Sequence, residues 1–347
     1  MSRAAPTKAA TIYDVAALAG VSHQTVSRLL KGFEGIRPET RARVESALKE
    51  LDYRPNLSAR ALATSRSMRI AVLTSDILSA GPAQTVQGLS NAARSAGYLT
   101  DIITVDASDR DSIDTAVALV RQQSLSAIVV IAVSDPIMEA IDGVEFGVPV
   151  YVDSGPADLD ESQGHSFNAL GMELIVDHLV SVGHTRILHL AGPGEWIAAR
   201  NRANAFHLRV AGHGLPALPL LRGDWTVASG AHALESLLTG GQLPHGATAI
   251  ACANDHMALG AIHALSVAGF SVPRDVSVTG FDDVAEAQYF RPPLTTVSID
   301  FSSQGAFLFD TVRSMIDDTD APDSRRFMQP QLVVRDSSAS PRSSRLA

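Results

Sequence analysis

Residues 11–32, TIYDVAALAGVSHQTVSRLLKG, have the pattern of two short helices joined by a tight turn. Thr11, with an acid three residues later, forms a capping box, so a first helix is expected to begin there. Gly20 can adopt the positive φ that ends such a helix. Ser22 is a favourable N-cap for a second helix that continues through Leu30. Two helices around a glycine-containing turn predict a helix-turn-helix.

Three apolar stripes at helical spacing indicate how this head forms a core. In the first helix the expected stripe is Val15, Leu18 and Ala19. In the second helix it is Val26, Leu29 and Leu30. A third helix is expected to begin at Pro38, with a stripe of Val44, Ala47, Leu48 and Leu51.

The polar face of the second helix carries side chains that can read DNA. The N-terminal residues of such a helix can meet base edges in the major groove, where Gln suits adenine and Arg suits guanine. The predicted base readers are His23, Gln24 and Arg28. The predicted phosphate contacts are Ser22, Thr25 and Ser27, with Thr11 as a further DNA-binding candidate. By periodicity alone, a plain helical hairpin with a solvated polar face remains an equal alternative.

The charge of the chain is distributed unevenly. Residues 1–66 contain 11 basic and 6 acidic residues, whereas residues 67–347 contain 17 basic and 31 acidic residues. All three lysines fall in the first segment. A small basic head on an acidic body favours a polyanionic partner for the head.

The composition excludes several classes of protein. A chain of 347 residues with 46% apolar and 19% charged residues predicts two or three globular domains. No apolar run is long enough to span a membrane, and the first 30 residues contain no apolar core of a secretory signal. Cys252 is the single cysteine and is expected to be a small buried residue. These features favour a cytoplasmic protein with no membrane association.

The body alternates short apolar runs with helical patterns. This alternation predicts an α/β fold with parallel sheets covered by helices on both faces, in two doubly wound lobes. The expected strands are Arg69–Thr74, Leu99–Thr104, Ala127–Val133, Val148–Asp153, Arg186–Leu190, Ala249–Ala253 and Val276–Gly280. The expected helices include Pro82–Ser95, Ser112–Gln122, Gly171–Val182, Ala228–Leu238 and His256–Ala268.

Two stretches near the N-terminus resemble the head and hinge of the lactose-repressor family. They are ATIYDVAALAGVSHQTVSRLLKG (10–32) and RPETRARVESALKELDYRPNLSARALATSR (37–66). The resemblance implies a hinge helix at Asn56–Ala63 that forms on double-stranded operator DNA, with Leu62 as a wedge in the minor groove. Asn56 and Ala59 are the other hinge residues expected to contact DNA. A homodimer would place two heads on a near-palindromic site.

The body resembles the periplasmic-sugar-binding-like core of the same family as far as Arg335. The motifs that carry the resemblance are VSVGHTRILHLAGP, GDW, ANDHMALGAIHAL, VPRDVSVTGFDD and PPLTTVSIDF. Ligands of such folds lie beyond the carboxyl ends of the strands, in the cleft between the lobes. The resemblance implies hydrogen bonds to sugar hydroxyls from Asp153, Arg202, Asn254 and Asp282, and aromatic walls from Trp225 and Phe301. Asp255 and Asp283 are as suited to cap the following helices as to touch a ligand.

Three positions of the body depart from the family pattern. Phe167 stands where many members have an aspartate, although Asn168 is retained, and Ile131 and Ile299 stand where amides are expected. The pocket is therefore expected to be more apolar than the family pattern implies. The resemblance of the GDW motif implies that Trp225 favours a glycoside over a purine as the effector.

The expected organisation is an all-α head followed by two α/β lobes. The domains are a disordered arm (1–10), the helix-turn-helix (11–54), a hinge (55–66), the core (67–335) and a disordered tail (336–347). The N-lobe comprises 67–165 and 298–328, and the C-lobe 166–297 and 329–335. The tail lacks leucine heptads, which favours a dimer over a tetramer.

The leading interpretation is a sequence-specific transcription regulator, a repressor that a small sugar or glycoside releases from DNA. A solute-binding protein is a second possibility, but it predicts a signal peptide and no basic head. An enzyme in the cleft is the third. No metal motif, nucleophile elbow or phosphate loop supports it, so no catalytic residue, metal or cofactor is expected. The sequence leaves open whether the sugar acts as an inducer or a corepressor.

Overall fold

The computed structural model describes residues 10–30, 33, 35–53, 67–153, 166–235, 237–238, 243–322 and 329–342. The chain divides into two compact units, Met1–Met68 and Arg69–Ala347. The expected hinge helix, with Asn56, Ala59 and Leu62, lies outside the described residues. So do nearly all of the expected arm and the lobe crossings placed near 165 and 328.

The head contains the three expected helices: α1 (Ile12–Ala19), α2 (His23–Leu30) and α3 (Pro38–Glu50). The capping box is present, since Thr11 and Asp14 exchange side-chain and backbone hydrogen bonds. Gly20 ends α1 with φ 62°, a left-handed conformation that suits glycine. The helix-turn-helix predicted from the capping pattern is therefore confirmed.

The apolar faces of the three helices form one small core. Val15, Val26 and Val44 are fully buried, and Ala19, Leu29 and Ala47 surround them. The expected position of Leu18 in this core is wrong, because its side chain is 48% exposed. Ala16 is buried in its place. A helix of eight residues buries only a narrow stripe of side chains. In α1 this stripe is Val15, Ala16 and Ala19, and Leu18 lies outside it.

The body contains two parallel sheets of four strands, each flanked by helices, so the predicted fold class is confirmed. The first sheet has the order β2-β1-β3-β4 and the second β6-β5-β7-β8. The strands of the first are β1 (Arg69–Thr74), β2 (Leu99–Thr104), β3 (Ala127–Ile131) and β4 (Val150–Val152). The strands of the second are β5 (Ile187–Ala191), β6 (Leu221–Arg222), β7 (Ala249–Cys252) and β8 (Ser277–Thr279).

Each sheet is covered on both faces because alternate side chains of its strands enter two different cores. Around the first sheet the helices are α4 (Ala80–Ser95), α5 (Arg110–Arg121), α6 (Asp135–Ile141) and α11 (Phe301–Asp317). Around the second they are α7 (Phe167–Ser181), α8 (Ile197–Gly212), α9 (Val227–Glu235) and α10 (Asp255–Val267). In β1, Ile70 and Val72 face α4 and α11, whereas Ala71 and Leu73 face α5 and α6.

A third, two-stranded sheet lies where the chain leaves the second lobe. It pairs β9 (Thr296–Ser298) antiparallel with β10 (Gln331–Val333). These short strands and β6 are absent from the sequence prediction, since two or three residues leave too little periodicity to detect. After β9 the chain enters α11, which joins the core of the first lobe through Leu308, Phe309 and Val312.

The same type of glycine-mediated helix crossing occurs in both lobes. A Cβ on Gly305 of α11 would lie 2.0 Å from the backbone oxygen of Thr85 in α4. A Cβ on Gly260 of α10 would lie 2.0 Å from the backbone oxygen of Val227 in α9. Both helix pairs are therefore in backbone contact, and α11 is held at a fixed distance from α4.

Residues 336–342 do not form the expected disordered tail. Ser337 is fully buried; its hydroxyl donates to the carbonyl of Val278 (2.6 Å) and accepts from the amide of Thr295 (2.8 Å). The ring of His184 lies 2.9 Å from the carbonyl oxygen of Ala339. The Ser-rich composition suggested disorder, but small polar residues can satisfy the free groups of the edge strand β8, and here they cover that edge.

Candidate functional site

The polar face of α2 is open to solvent. His23, Gln24 and Arg28, the predicted base readers, are exposed, as is Ser22. Thr25 and Ser27 are half-buried. The head thus presents the predicted side chains on one helix face, opposite the Val26 side that enters the core.

Two of these side chains have aromatic neighbours that the sequence reasoning missed. The ring of Tyr13 lies 5.2 Å from that of His23, and the guanidinium of Arg28 lies 5.8 Å from the ring centre of Phe33. Tyr13 is 66% exposed, so its hydroxyl is available beside His23. Its place in the first turn of α1 offered no periodicity signal for a surface role.

The hydroxyls of Ser22 and Thr11 also make hydrogen bonds at the N-termini of α2 and α1. Ser22 Oγ accepts from the amide of Thr25 (3.2 Å), which caps α2. Thr11 Oγ1 donates to Asp14 (2.7 Å). Each hydroxyl keeps further hydrogen-bonding capacity on an exposed residue.

In the body a cleft lies between the two lobes, and it contains about 830 Å³ of empty space including its open mouth. All six predicted effector-binding residues line it: Asp153, Arg202, Trp225, Asn254, Asp282 and Phe301. They come from both lobes and from segments up to 148 positions apart in sequence. The fold brings them together because the carboxyl ends of parallel strands converge on one edge of each sheet.

Arg202 is held in the cleft by hydrogen bonds and by an aromatic ring. Its Nε donates to Asn168 Oδ1 (2.8 Å), and its two terminal nitrogens donate to the carbonyl of Ala253 and to Asp282 (3.3 Å). The guanidinium lies 3.7 Å from the centre of the Phe281 ring. Burial lowers the pKa of Arg202, and the nearby Asp282 opposes that effect.

Asp282 faces Arg202 with its side chain only 10% exposed. Burial raises its pKa to about 6, although Arg202 and His256 favour the charged form. Asn254 caps α10, because its Oδ1 accepts from the amide of Met257 and its Nδ2 donates to the carbonyl of Trp225. The capping role and the lining role of Asn254 therefore coexist.

Four aromatic rings form the apolar walls in two edge-to-face pairs. Trp196 and Trp225 have ring centres 6.2 Å apart, and Phe167 and Phe301 have ring centres 6.3 Å apart. Phe167 and Ile131 both line the cleft, whereas Ile299 is buried in the C-lobe core. Two of the three departures from the family pattern thus add apolar surface to the cleft.

Three residues that line the cleft have a strained backbone conformation. Ala132, Trp225 and Asp282 line it and have φ values of 53°, 75° and 105°, in the region that favours glycine. Such conformations persist only where the surrounding structure imposes them, and they cluster at ligand sites.

Sequence reasoning missed several lining residues of the cleft, among them Asp76, Trp196 and Gln304. Asp76 lies two residues after the end of β1, so its position beyond a strand end could have indicated it. Gln304 lies one turn after Phe301 on α11, and its Nε2 donates to Asp153 Oδ2 (2.7 Å). Trp196 precedes α8, and no local signal indicated it.

Asp255 and Asp283 stabilise the fold and do not line the cleft. Asp255 is fully buried and accepts from the amide of Val284 (2.8 Å) and the hydroxyl of Thr296 (2.5 Å). Burial raises its pKa to about 8. Asp283 accepts from Arg335 (2.7 Å).

A polar seam joins the lobes beside the cleft. Arg200 of the C-lobe makes two hydrogen bonds of 2.8 Å to the carboxylate of Asp135 in the N-lobe. The amide of Asp135 donates to the carbonyl of Glu195, and that of Ile197 to Val133. The two lobes are therefore in direct contact at this edge.

Within the described ranges, no group of three His, Cys, Asp or Glu side chains could hold a metal ion. None of the described helices is long and apolar enough to cross a bilayer.

Comparison with known proteins identifies the family. Residues 11–56 match the bacterial regulatory proteins of the lacI family, and residues 176–338 match the periplasmic binding protein-like domain. The chain is 34% identical over 305 residues to the lactose operon repressor of Escherichia coli, covering 86% of this chain and 82% of that repressor. The chain belongs to the lacI family of bacterial regulatory proteins. The resemblance read from the motifs of this regulator is thus confirmed.

Solved structures of related regulators have the same fold as this lacI-family chain. A lac repressor dimer bound to operator and the anti-inducer ONPF is 31% identical, with a TM-score of 0.83 over 96% of this chain and all of that one. A complex of the transcriptional regulator CelR with cellobiose is 28% identical, with a TM-score of 0.69 over 95% of this chain and all of that one. The matched relatives are transcriptional regulators rather than enzymes.

Proposed function

We propose that this lacI-family regulator is a repressor of carbohydrate-use genes that a small sugar or glycoside releases from operator DNA. The observation that carries the proposal is the cleft, in which all six predicted effector residues meet across two lobes. Carboxylate, amide and guanidinium groups lie there beside four aromatic rings, the combination that binds sugar hydroxyls and the apolar face of a sugar ring. One relative of the same fold was solved with cellobiose.

In the proposed complex, the base readers are His23, Gln24 and Arg28, and the phosphate contacts are Thr11, Ser22, Thr25 and Ser27. The exposed face of α2 supports these roles. Asn56 and Ala59 would contact DNA from the hinge, and Leu62 would enter the minor groove. A homodimer would place two heads on a near-palindromic site, as a dimer of the lac repressor is bound to its operator. The protein would act in the cytoplasm, at the nucleoid, without an enzymatic reaction or a cofactor.

Fluorescence anisotropy of labelled palindromic DNA from upstream of the regulator's own gene tests the proposal. The full chain is titrated onto this DNA, and neutral mono- and disaccharides are then added. We expect one sugar to release the DNA. If adding a sugar strengthens DNA binding instead, the sugar is a corepressor and not an inducer.

Two variants separate the sites. Gln24→Ala is expected to weaken operator binding by ~1–3 kcal/mol, which is roughly 5- to 150-fold, without changing sugar affinity. Trp225→Ala is expected to abolish release by sugar while operator affinity stays the same. Loss of both activities in either variant would contradict the assignment of two separate sites.

A further inference from the structure

The N-lobe wall of the cleft contains a buried hydrogen-bond acceptor without a partner. Gln304 is 7% exposed, and its Nε2 donates to Asp153. Because a carboxylate only accepts hydrogen bonds, the amide nitrogen must face Asp153, which leaves Oε1 on the other side. Gln304 Oε1 has no hydrogen-bond partner in the described structure. Burying an acceptor without a partner costs free energy, so a hydrogen-bond donor on a ligand would be stabilised at this atom.

Asp76 places a fixed carboxylate at the N-lobe side of the cleft. Its Oδ1 accepts from the amides of Leu78 (2.7 Å) and Ser79 (2.9 Å), in the turn that leads into α4. The carboxylate of Asp76 is thereby held in place by two amides of the turn that precedes α4. On the opposite lobe, the side chain of Asn254 caps α10.

The charge of the cleft is also unfavourable for an anion. Asp76, Asp153 and Asp282 line it, and Arg202 is the one cationic side chain among the described lining residues. The guanidinium of Arg202 already bonds Asp282. Asp76 is near enough to Asp282 to raise its pKa, so the two carboxylates act on one space from opposite lobes.

The donors that remain suit neutral oxygen atoms. Trp225 Nε1 is buried and has no hydrogen-bond partner among the described residues. Single N–H groups of this kind can donate to ring or hydroxyl oxygens.

We propose that the cleft selects a sugar that carries hydrogen-bond donors and no phosphate or carboxylate group, and that Gln304 and Asp76 set this preference. The inference rests on the proposed function, since it specifies the ligand of the same cleft. Hydroxyl groups of the sugar donate to Gln304 Oε1, while the carboxylates repel a sugar phosphate or a uronic acid.

Isothermal titration calorimetry of the full chain at low salt tests this preference. Glucose, galactose, lactose and cellobiose are each compared with the corresponding 6-phosphate, and the two monosaccharides also with their uronic acids. Two like charges about 7 Å apart at a protein surface repel by enough to weaken binding roughly tenfold or more. We therefore expect every anionic form to bind at least ~10-fold more weakly than its neutral parent.

Asp76→Asn keeps an oxygen for the two amides but removes the charge. We expect it to reduce the factor by which a neutral sugar binds more tightly than its 6-phosphate. Gln304→Leu removes the acceptor and is expected to weaken the neutral sugar. Asp310→Asn, an exposed position on the same helix as Gln304, is the control and should change neither value.

The outcomes distinguish this inference from the proposed function. A phosphorylated or acidic sugar that binds as tightly as its neutral parent overturns the inference and leaves a carbohydrate-responsive regulator. An unchanged ratio in Asp76→Asn removes Asp76 from the selection. If no sugar of either kind binds, the proposed function fails, and this inference fails with it.

Discussion

At the scale of single residues, the cleft depends on buried charge. Arg202 and Asp282 form an ion pair with side chains 7% and 10% exposed, and three hydrogen bonds fix the guanidinium. A buried pair adds little net stability compared with apolar residues, but removing one partner leaves the other charge unpaired. The pair therefore fixes the geometry of the cleft at the cost of making both positions intolerant of substitution.

Arg202→Gln is expected to lower the free energy of unfolding by ~3–5 kcal/mol, because Asp282 loses its buried partner. Arg209 lies on the same helix and pairs with Asp177, with both side chains more than one third exposed. Arg209→Gln is the matched control, with an expected loss of about 0–1 kcal/mol. Urea denaturation of both variants measures the difference, and equal losses would show that burial of the first pair does not matter.

Asp255 gives the regulator a pH-dependent stability. Its folded-state pKa of about 8 lies above the ordinary value of 3.8, so the folded state binds the proton more tightly. This stabilisation is fully present below about pH 4 and is lost as the pH rises towards 8, with a slope approaching ~1.4 kcal/mol per pH unit. Asp282, with a pKa of about 6, acts in the same direction over the lower part of this range.

Asp255→Asn is expected to flatten the decline of unfolding free energy between about pH 6 and 8. Asparagine can still accept from Val284, and its amide can donate to Thr296, so the fold should be retained. Denaturation at a series of pH values measures the slope, and Asp310→Asn is the exposed control. A slope that persists in Asp255→Asn would assign the pH dependence to other groups.

At the scale of elements, the position of α11 is set by its contact with α4. Gly305 allows the two backbones to touch, and Phe301 and Gln304 lie on the same helix just before it and line the cleft. The distance between two helices thus fixes one wall of the ligand site. The corresponding contact between α9 and α10 through Gly260 serves the other lobe, where Asn254 and Trp225 lie next to that helix pair.

Gly305→Ala is expected to cost ~1–3 kcal/mol of stability, because its Cβ would force α11 away from the backbone of Thr85. The same shift would displace Gln304, so sugar affinity should fall as well. Gly212→Ala places a Cβ in open space at the end of α8 and should be neutral or stabilising by up to ~1 kcal/mol. Thermal unfolding and sugar titration of both variants test this, and two equally stable proteins would refute the close contact.

At the scale of the whole molecule, the chain combines two compact units of opposite charge. The first 66 residues carry 11 basic and 6 acidic residues, whereas the rest carries 17 basic and 31 acidic residues. The basic unit has the exposed polar face of α2, and the acidic unit has the sugar-type cleft. A basic head is attracted to DNA, while the phosphate backbone repels the acidic body and so disfavours DNA binding through the surface of the body.

Because the two sites lie on one chain, any effect of sugar on DNA affinity must be reciprocal. The factor by which a saturating sugar weakens operator binding should equal the factor by which operator weakens sugar binding. Anisotropy and calorimetry at the same salt concentration measure the two factors. Sugar affinity that is identical with and without operator, in a protein that sugar releases from DNA, would contradict the coupling.

The sequence by itself determined the elements with strong local signals. The capping box at Thr11 and the turn at Gly20 specify the helix-turn-helix, and β1 and β2 have the predicted bounds. These features depend on residues within one turn or one strand of each other, so the local pattern is sufficient. The motifs shared with the lacI family also identified six residues that meet in the cleft.

The tertiary structure decided what local patterns cannot encode. Leu18 faces solvent although it is apolar, and Ser337 is buried although it is polar. Gln304 and Asp76 became part of the cleft only when α11 crossed to the first lobe and β1 was placed at the centre of its sheet. Burial, charge and unpaired hydrogen-bonding atoms depend on contacts between segments far apart in the chain, and only the folded arrangement of two lobes determines them.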